Sequence, residues 1–327
     1  MSEAETVHLF NGFQNPFGGS ELETLAVYHL LSQQVRVQMW ATSSKASAAL
    51  LDAYPVQRLS VLHGRVPNGG NYVFFGAHWR NRIWPYLIAR PRRLIYVFNT
   101  FHPKVLQLTS ERPPLLRWPR TEYVLISEFQ KRLLGIDGAV HPSPIDLTRF
   151  MPHARVRAPD APLVLGRLSR DTADKHHPDD LPLYRTLLAS GWQIRLQGAT
   201  ILAPDLPVTP ALQLLPEGQI SAETFLGELD VFYYRTGVHV ETFGRVVFEA
   251  MACGLPVVCH RHGGYADHIR HGENGYLFDT TDQAAAILTQ LQHDPDLRAR
   301  IGANARRTVE ALFSPEALQA RMLFLRA

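Results

Sequence analysis

The chain has 327 residues, 46% hydrophobic and 19% charged, with a formal net charge of +3; that composition is globular, with length for about two domains, and excludes wholesale disorder. No apolar run approaches the roughly 20 residues that span a bilayer, and the acidic start lacks the basic and apolar regions of a signal peptide. The only cysteines, Cys253 and Cys259, fit neither a zinc knuckle nor a CxxC redox pair, so secreted, fibrous and integral-membrane classes give way to a cytoplasmic expectation.

Short runs rich in β-branched and aromatic residues predict strands over 7–10, 35–40, 72–75, 94–98 and 123–126. None alternates with polar residues, which is the pattern of strands buried on both faces. Helices are predicted between them over 21–33, 81–89 and 128–134. Pro142, Pro144, Pro152, Pro159 and Pro162 then mark a linker. A second series follows, with strands over 163–165, 193–196, 231–234 and 257–259, and helices over 181–190, 243–251, 284–293 and 296–312. Ser314-Pro315-Glu316 opens a terminal helix, with serine as its cap and proline in its first turn. Strand and helix in alternation imply βαβ units and parallel sheets. The expected fold is therefore α/β, with two Rossmann-like domains facing across a cleft: 1–155, then 156–312, and a terminal helix over 313–327 packing back toward the first domain. Residues 1–150 hold 16 Lys+Arg against 10 Asp+Glu, and residues 151–327 hold 17 against 20. Two domains with different partners fit that asymmetry, but it is too modest to argue for nucleic acid.

Several familiar motifs are missing. There is no GxxxxGK[ST] loop, no GxGxxG after the first strand, no HExxH and no GxSxG. What remains is Phe17-Gly18-Gly19-Ser20-Glu21, directly after the first predicted strand. Its glycines allow close backbone approach and its helix N-terminus offers N–H groups to an anion; a plain strand-to-helix turn would look the same. The second feature is Glu241 and Glu249, eight apart around an apolar helix start. A buried Glu249 carboxylate needs donors, which vicinal sugar hydroxyls supply. Glu241 sits before the helix, at the positive end of its dipole, and the amides of residues 243–246 would face a diphosphate.

The run from Glu241 through Thr242, Phe243, Gly244, Arg245 and Val246 to Glu249 and Cys259, with Gly263-Gly264 and residues 272–278, resembles the signature of the retaining GT-B glycosyltransferases of family 4. Residues 127–131, 144–150 and 215–232 resemble that family's first-domain end, linker and base-holding segment. The resemblance implies a nucleotide-diphosphate-sugar substrate. It assigns the ribose to Glu249 and the donor sugar to Glu241. Arg167 and Lys175 would clamp the diphosphate and stabilise the charge that grows on it as the glycosidic bond breaks. Gly18 and Gly19 would approach the same phosphates, the backbones of Gln219 and Ile220 would meet the base, and His102 would lie near donor sugar and acceptor. No residue fits a covalent nucleophile. With no evident DxD site for a divalent metal, neither metal nor other cofactor is expected.

The chain also departs from that pattern. Seven residues separate Arg167 from Lys175, about two more than is usual, so Arg170 is expected to share the clamp. His176 stands where glycine is common, and Arg235-Thr236 where Pro-Ser is common. His78, after a predicted strand, is a candidate for the acceptor side. Residues 79–93 carry five arginines and two tryptophans, which suits peripheral contact with anionic lipid or a solvated helix face. The partners expected are a nucleotide sugar, UDP-linked first and GDP-linked next, and a glycan, lipid-linked or small-molecule acceptor. The rival reading is a sugar-nucleotide binder without turnover.

Overall fold

The computed structural model describes residues 6–76, 87–101, 118–153, 158 and 161–327. They group into two compact units, Met1–Pro144 with Ser314–Ala327, and Ile145–Phe313. The division after residue 144 falls earlier than the expected boundary at 155. Residues 145–150 side with the second unit because Arg306 donates to the Phe150 carbonyl at 2.7 Å and Arg149 pairs with Glu223 at 2.6 Å.

The first unit contains β1 (Thr6–Asn11), α1 (Gly19–Leu31), β2 (Arg36–Ala41), α2 (Ala48–Ala53), β3 (Val56–Arg58), β4 (Asn71–Phe75), β5 (Arg93–Phe98), β6 (Thr121–Leu125), α3 (Glu128–Leu134) and β7 (Ala139–Val140). The strands form a parallel sheet in the order β3-β2-β1-β4-β5-β6-β7. Every residue of β4 is buried, which is why its sequence after Asn71 reads as an apolar run. Phe10 and Phe74 stack at 4.3 Å on adjacent strands, inside a core with Trp40, Tyr72, Tyr96 and Leu125.

The second unit contains β8 (Val164–Leu168), α4 (Asp180–Ala189), β9 (Gln193–Gln197), β10 (Leu212–Leu215), α5 (Ala222–Gly227), β11 (Val231–Tyr234), α6 (Arg245–Ala252), β12 (Val257–His260), β13 (Tyr276–Phe278), α7 (Thr281–His293) and α8 (Pro295–Leu312). Its parallel strands run β10-β9-β8-β11-β12-β13, which is the 3-2-1-4-5-6 order of the Rossmann fold. α6 begins at Arg245, two residues later than expected, because Gly244 before it is left-handed at φ 84°. α7 begins three residues earlier than expected, behind a capping box of Thr280 and Gln283. The letters Asp294-Pro295-Asp296 do spell DxD, but they start α8: the Asp294 carboxylate accepts from the Leu297 N–H at 2.8 Å.

The last helix, α9 (Pro315–Arg326), starts at the expected serine cap, Ser314 accepting from Ala317 N–H. It belongs to the first unit. Asn71 Nδ2 donates to the Leu325 and Arg326 carbonyls at 3.0 and 3.1 Å, and Arg92 Nη2 to the Arg326 carbonyl at 2.8 Å. Arg93 donates to the Phe324 carbonyl at 2.6 Å and holds Glu122 with two bonds of 2.6 and 2.8 Å. Two arginines of the basic stretch are thus helix-capping groups, which satisfy carbonyls that a helix end leaves open. Residues 79–86 of that stretch, most of the helix predicted over 81–89, and the candidates His78 and His102 lie outside the described residues. Among the described residues, no helix is long and apolar enough to cross a membrane.

Candidate active site

In a doubly wound sheet, ligands bind beyond the carboxyl ends of the strands where the chain order reverses. In the second unit that point lies between β8 and β11. β8 delivers Arg167, and the loop after it closes with a one-turn helix over Ala173–Lys175. β11 ends at Tyr234, and the loop after it delivers Glu241 just before α6.

These elements bring Lys175 and Glu241 together: Nζ lies 2.8 Å from Oε2, with the two side chains only 8% and 16% exposed. Tyr234 donates its hydroxyl to the same oxygen at 2.8 Å. His239 Nε2 lies 3.8 Å from it, and His239 Nδ1 3.4 Å from Asp174 Oδ2. Burial alone would raise the Glu241 carboxyl; the Lys175 ammonium, His239 and the two hydrogen bonds outweigh it and hold the group down at about 2. The carboxylate is ionised at neutral pH. Its main chain is fixed too, since the Glu241 carbonyl accepts from Gly264 N–H at 2.9 Å.

Arg167 is 1% exposed and turned inward. It donates to the Arg235 carbonyl at 2.9 Å, to the Lys175 carbonyl, and to His176 Nδ1 at 2.6 Å. His176 Nε2 in turn donates to the Gly198 carbonyl at 3.0 Å. Burial and the adjacent guanidinium press the His176 imidazole down to about 4, so it stays neutral and can accept from Arg167. That is the work of the histidine where glycine is common. Arg170, by contrast, is 43% exposed and lies 3.7 Å from Asp174. Arg235 is buried against Asp179 at 3.1 Å, Asp180 at 3.6 Å and the Thr281 hydroxyl at 3.0 Å.

α6 carries the second glutamate. Glu249 is buried one turn in, 3.7 Å from Arg245 Nη2. Burial pushes its carboxyl up, against the opposing pull of Arg245 and Arg149. No side chain caps the start of α6; Thr242 and Phe243 are buried before it, Phe243 stacked on Phe248 at 4.3 Å. Gly244 fits because a Cβ there would stand 2.5 Å from the Tyr265 ring. Val246 completes the first turn.

The segment after β10 contains Gln219 and Ile220. Both backbone groups of Ile220 are engaged by Gln197: its amide donates to the carbonyl at 2.8 Å and accepts from the N–H at 3.0 Å. In the first unit, the Gly18–Gly19 turn wraps over Glu21. That carboxylate accepts from the Gln14 and Asn15 N–H groups at 3.2 and 3.3 Å and from the Ser20 hydroxyl at 2.7 Å. The sequence pattern does not single out Tyr234, His239 or Gln197. Tyr234 and Gln197 could have been found as polar residues closing strands beside the reversal point. Among the described residues, no three metal-ligating side chains converge as a metal site.

The tandem Rossmann-like architecture is that of GT-B proteins. The crystal structure of Anabaena Alr3699/HepE in complex with UDP and glucose superposes with a TM-score of 0.74 at 16% identity, covering 98% of both chains. Residues 218–308, which hold Glu241, α6 and Glu249, match the family model of glycosyl transferases group 1. The D-inositol 3-phosphate glycosyltransferase of Thermomonospora curvata is 45% identical over 76 residues, 23% of this chain and 18% of that protein. The capsular polysaccharide biosynthesis glycosyltransferase CapM of Staphylococcus aureus is 27% identical over 165 residues, 47% of this chain and 43% of that protein. The matches thus span less than half the length of these curated relatives.

Proposed function

We propose that the protein is a retaining glycosyltransferase that moves a sugar from a nucleotide-diphosphate sugar to a glycan, lipid-linked or small-molecule acceptor. The observation that carries the reading is the Lys175–Glu241 pair beside the uncapped start of α6, at the reversal point of a Rossmann sheet. A cation, an ionised carboxylate and a helix N-terminus at one place suit a diphosphate with a hydroxylated sugar attached. UDP is the favoured nucleotide, as in the HepE complex, with GDP next.

In this reading Lys175 and the exposed Arg170 take the diphosphate and stabilise its charge as the glycosidic bond breaks. Arg167, already bonded to two carbonyls and His176, positions the Lys175 turn. Glu249 accepts from the ribose hydroxyls, and Glu241 orients the donor sugar. Gln197 holds the Ile220 backbone in place, leaving the base to neighbours such as Gln219. His102 and His78 serve the sugar and acceptor side. No metal takes part, and the setting is cytoplasmic, with residues 79–93 touching a lipid surface when the acceptor is lipid-linked.

The test is nucleotide-diphosphate release from UDP-, GDP- and ADP-sugars, with and without EDTA. Release from one donor, unchanged by EDTA, supports the reading; loss of nucleotide affinity in Glu249→Ala ties it to this site. Binding without release, with any acceptor supplied, favours a non-catalytic sugar-nucleotide binder, a second reading that the inward-turned Arg167 motivates. Vesicle sedimentation without salt-sensitive binding removes the lipid contact.

A further inference from the structure

We propose that His239 is a positioning residue that takes over Glu241 from Lys175 when a diphosphate binds, accepting one proton and bridging Glu241 to Asp174. The inference rests on the reading above in one respect, that Lys175 and Arg170 turn toward a diphosphate.

The geometry is that of one imidazole between two carboxylates. His239 Nδ1 faces Asp174 at 3.4 Å and Nε2 faces Glu241 at 3.8 Å. The ring is held there by its own backbone: His239 N–H donates to the Asp174 carbonyl at 3.1 Å, and the Thr236 hydroxyl donates to the His239 carbonyl at 2.7 Å. A neutral imidazole has one N–H, so it can donate to only one of two flanking carboxylates; an imidazolium can donate to both. Both separations are longer than a charge-assisted hydrogen bond, as expected while the ring is neutral.

What keeps it neutral is also on the page. Two carboxylates, Asp174 and Glu241, are matched by two cations, Arg170 at 3.7 Å and Lys175 at 2.8 Å. Burial, then Lys175 and Arg170, press the imidazole down, while Glu241 and Asp174 pull it up. Among the described residues, these four groups, from the loop after β8 and the loop before α6, are charges that act on its state. A diphosphate carries two negative charges. Once it draws Lys175 and Arg170 away, Glu241 and Asp174 lose their counter-charges and the balance at His239 reverses. The ring then takes a proton from the buffer, no covalent bond between heavy atoms being made or broken. Glu241 keeps a cationic partner and its orientation while Lys175 serves the phosphate.

The prediction is proton-linked binding, with net proton uptake on binding near pH 7 and an affinity that weakens as pH rises. UDP-glucose is the first probe, followed by GDP-glucose and ADP-glucose, because a diphosphate esterified at both ends has no proton of its own to exchange near neutrality. Calorimetry of the full chain in buffers of different ionisation enthalpy reads the uptake. His239→Gln is expected to bind with little or no uptake and with a flatter pH profile. In the free protein, Lys175→Met is expected to raise the midpoint of the His239 ring titration followed by NMR. Heat of binding with equal uptake in wild type and His239→Gln, or an unmoved midpoint in Lys175→Met, overturns the inference while leaving the nucleotide-sugar reading intact. No binding of any of the three sugars overturns both.

Discussion

Lys175 Nζ and Glu241 Oε2 meet at 2.8 Å although they are 66 positions apart in sequence, and both side chains are largely withdrawn from solvent. A buried pair of this kind adds little over an apolar substitute, but breaking it leaves one charge stranded. Glu241→Gln is therefore expected to cost about 3 kcal/mol of stability, and Lys175→Met to recover part of that in the double variant. The Glu241 carboxyl lies below its ordinary value, at about 2. Its contribution is complete above the ordinary glutamate range and disappears as pH falls through about 2. Urea unfolding of the two single variants and the double variant at pH 7 measures the coupling; strictly additive losses would refute it.

His176 and Arg167 give a pH dependence nearer neutrality. The folded protein keeps His176 neutral down to about 4, whereas the unfolded chain protonates it near the ordinary histidine value. Between those two values the unfolded state binds more protons, so stability falls as pH is lowered. His176→Gln can accept from Arg167 and donate to Gly198 without titrating. Its unfolding free energy should therefore drop less than that of the wild type between pH 7 and pH 5. Parallel losses in the two proteins would assign the acid sensitivity to other groups, such as His8 and His141, both held near 4 by burial.

The fold was legible where burial on both faces dictates composition. Strand β11 and helix α3 fall on the residues expected, and the Ser314 cap starts α9 as its letters indicate. Short edge strands were not legible: β3 and β7 have three and two residues, and only pairing with a neighbour makes them strands. β10 and β13, at the two edges of the second sheet, were missed for the same reason. Of the site, Glu241, the first turn of α6 after it and Glu249 within the helix stand in one contiguous motif and can be read directly. The partners of Glu241 cannot, because Lys175 reaches it through the loop after β8 and Tyr234 through the end of β11. The inward turn of Arg167 depends on His176, itself held by the Gly198 carbonyl, and on the Lys175 and Arg235 carbonyls, contacts that no spacing in the sequence encodes.

Gly244 provides a steric test of the α6 start. Its φ of 84° is one that side-chain-bearing residues rarely adopt, and a Cβ would stand 2.5 Å from the Tyr265 ring. Gly244→Ala is expected to cost about 1–2 kcal/mol for the left-handed backbone alone, with the displaced ring adding to it. The turn between Glu241 and α6 should move as well, so nucleotide affinity should fall together with the melting temperature. Wild-type values of both would mean that the turn tolerates a side chain and that the glycine has no steric role.

On the proposed reading, Gln197 lets base recognition be tested apart from the diphosphate. Its amide spans the N–H and the carbonyl of Ile220 at 3.0 and 2.8 Å, a two-point hold on a segment that lies outside regular structure between β10 and α5. Gln197→Ala leaves both backbone groups of Ile220 to water, which they can reach because the residue is only half-buried. The loss of stability should then be about 1 kcal/mol, near the ordinary worth of a hydrogen bond. The effect on binding should be larger and selective. A loop that must be ordered by the ligand charges its ordering entropy to the affinity, and on the proposed reading that loss falls on the base. Affinity for a nucleoside diphosphate should drop about tenfold, while weak binding of inorganic pyrophosphate, which lacks the base, should be unaltered. Gln197→Glu is the harsher case, because a carboxylate can accept from the Ile220 N–H but cannot donate to its carbonyl, and an unpaired charge buried beside that carbonyl is costly; a loss larger than that of Gln197→Ala is expected. Equal losses for pyrophosphate and nucleotide would place Gln197 with the sheet as a whole and not with the base.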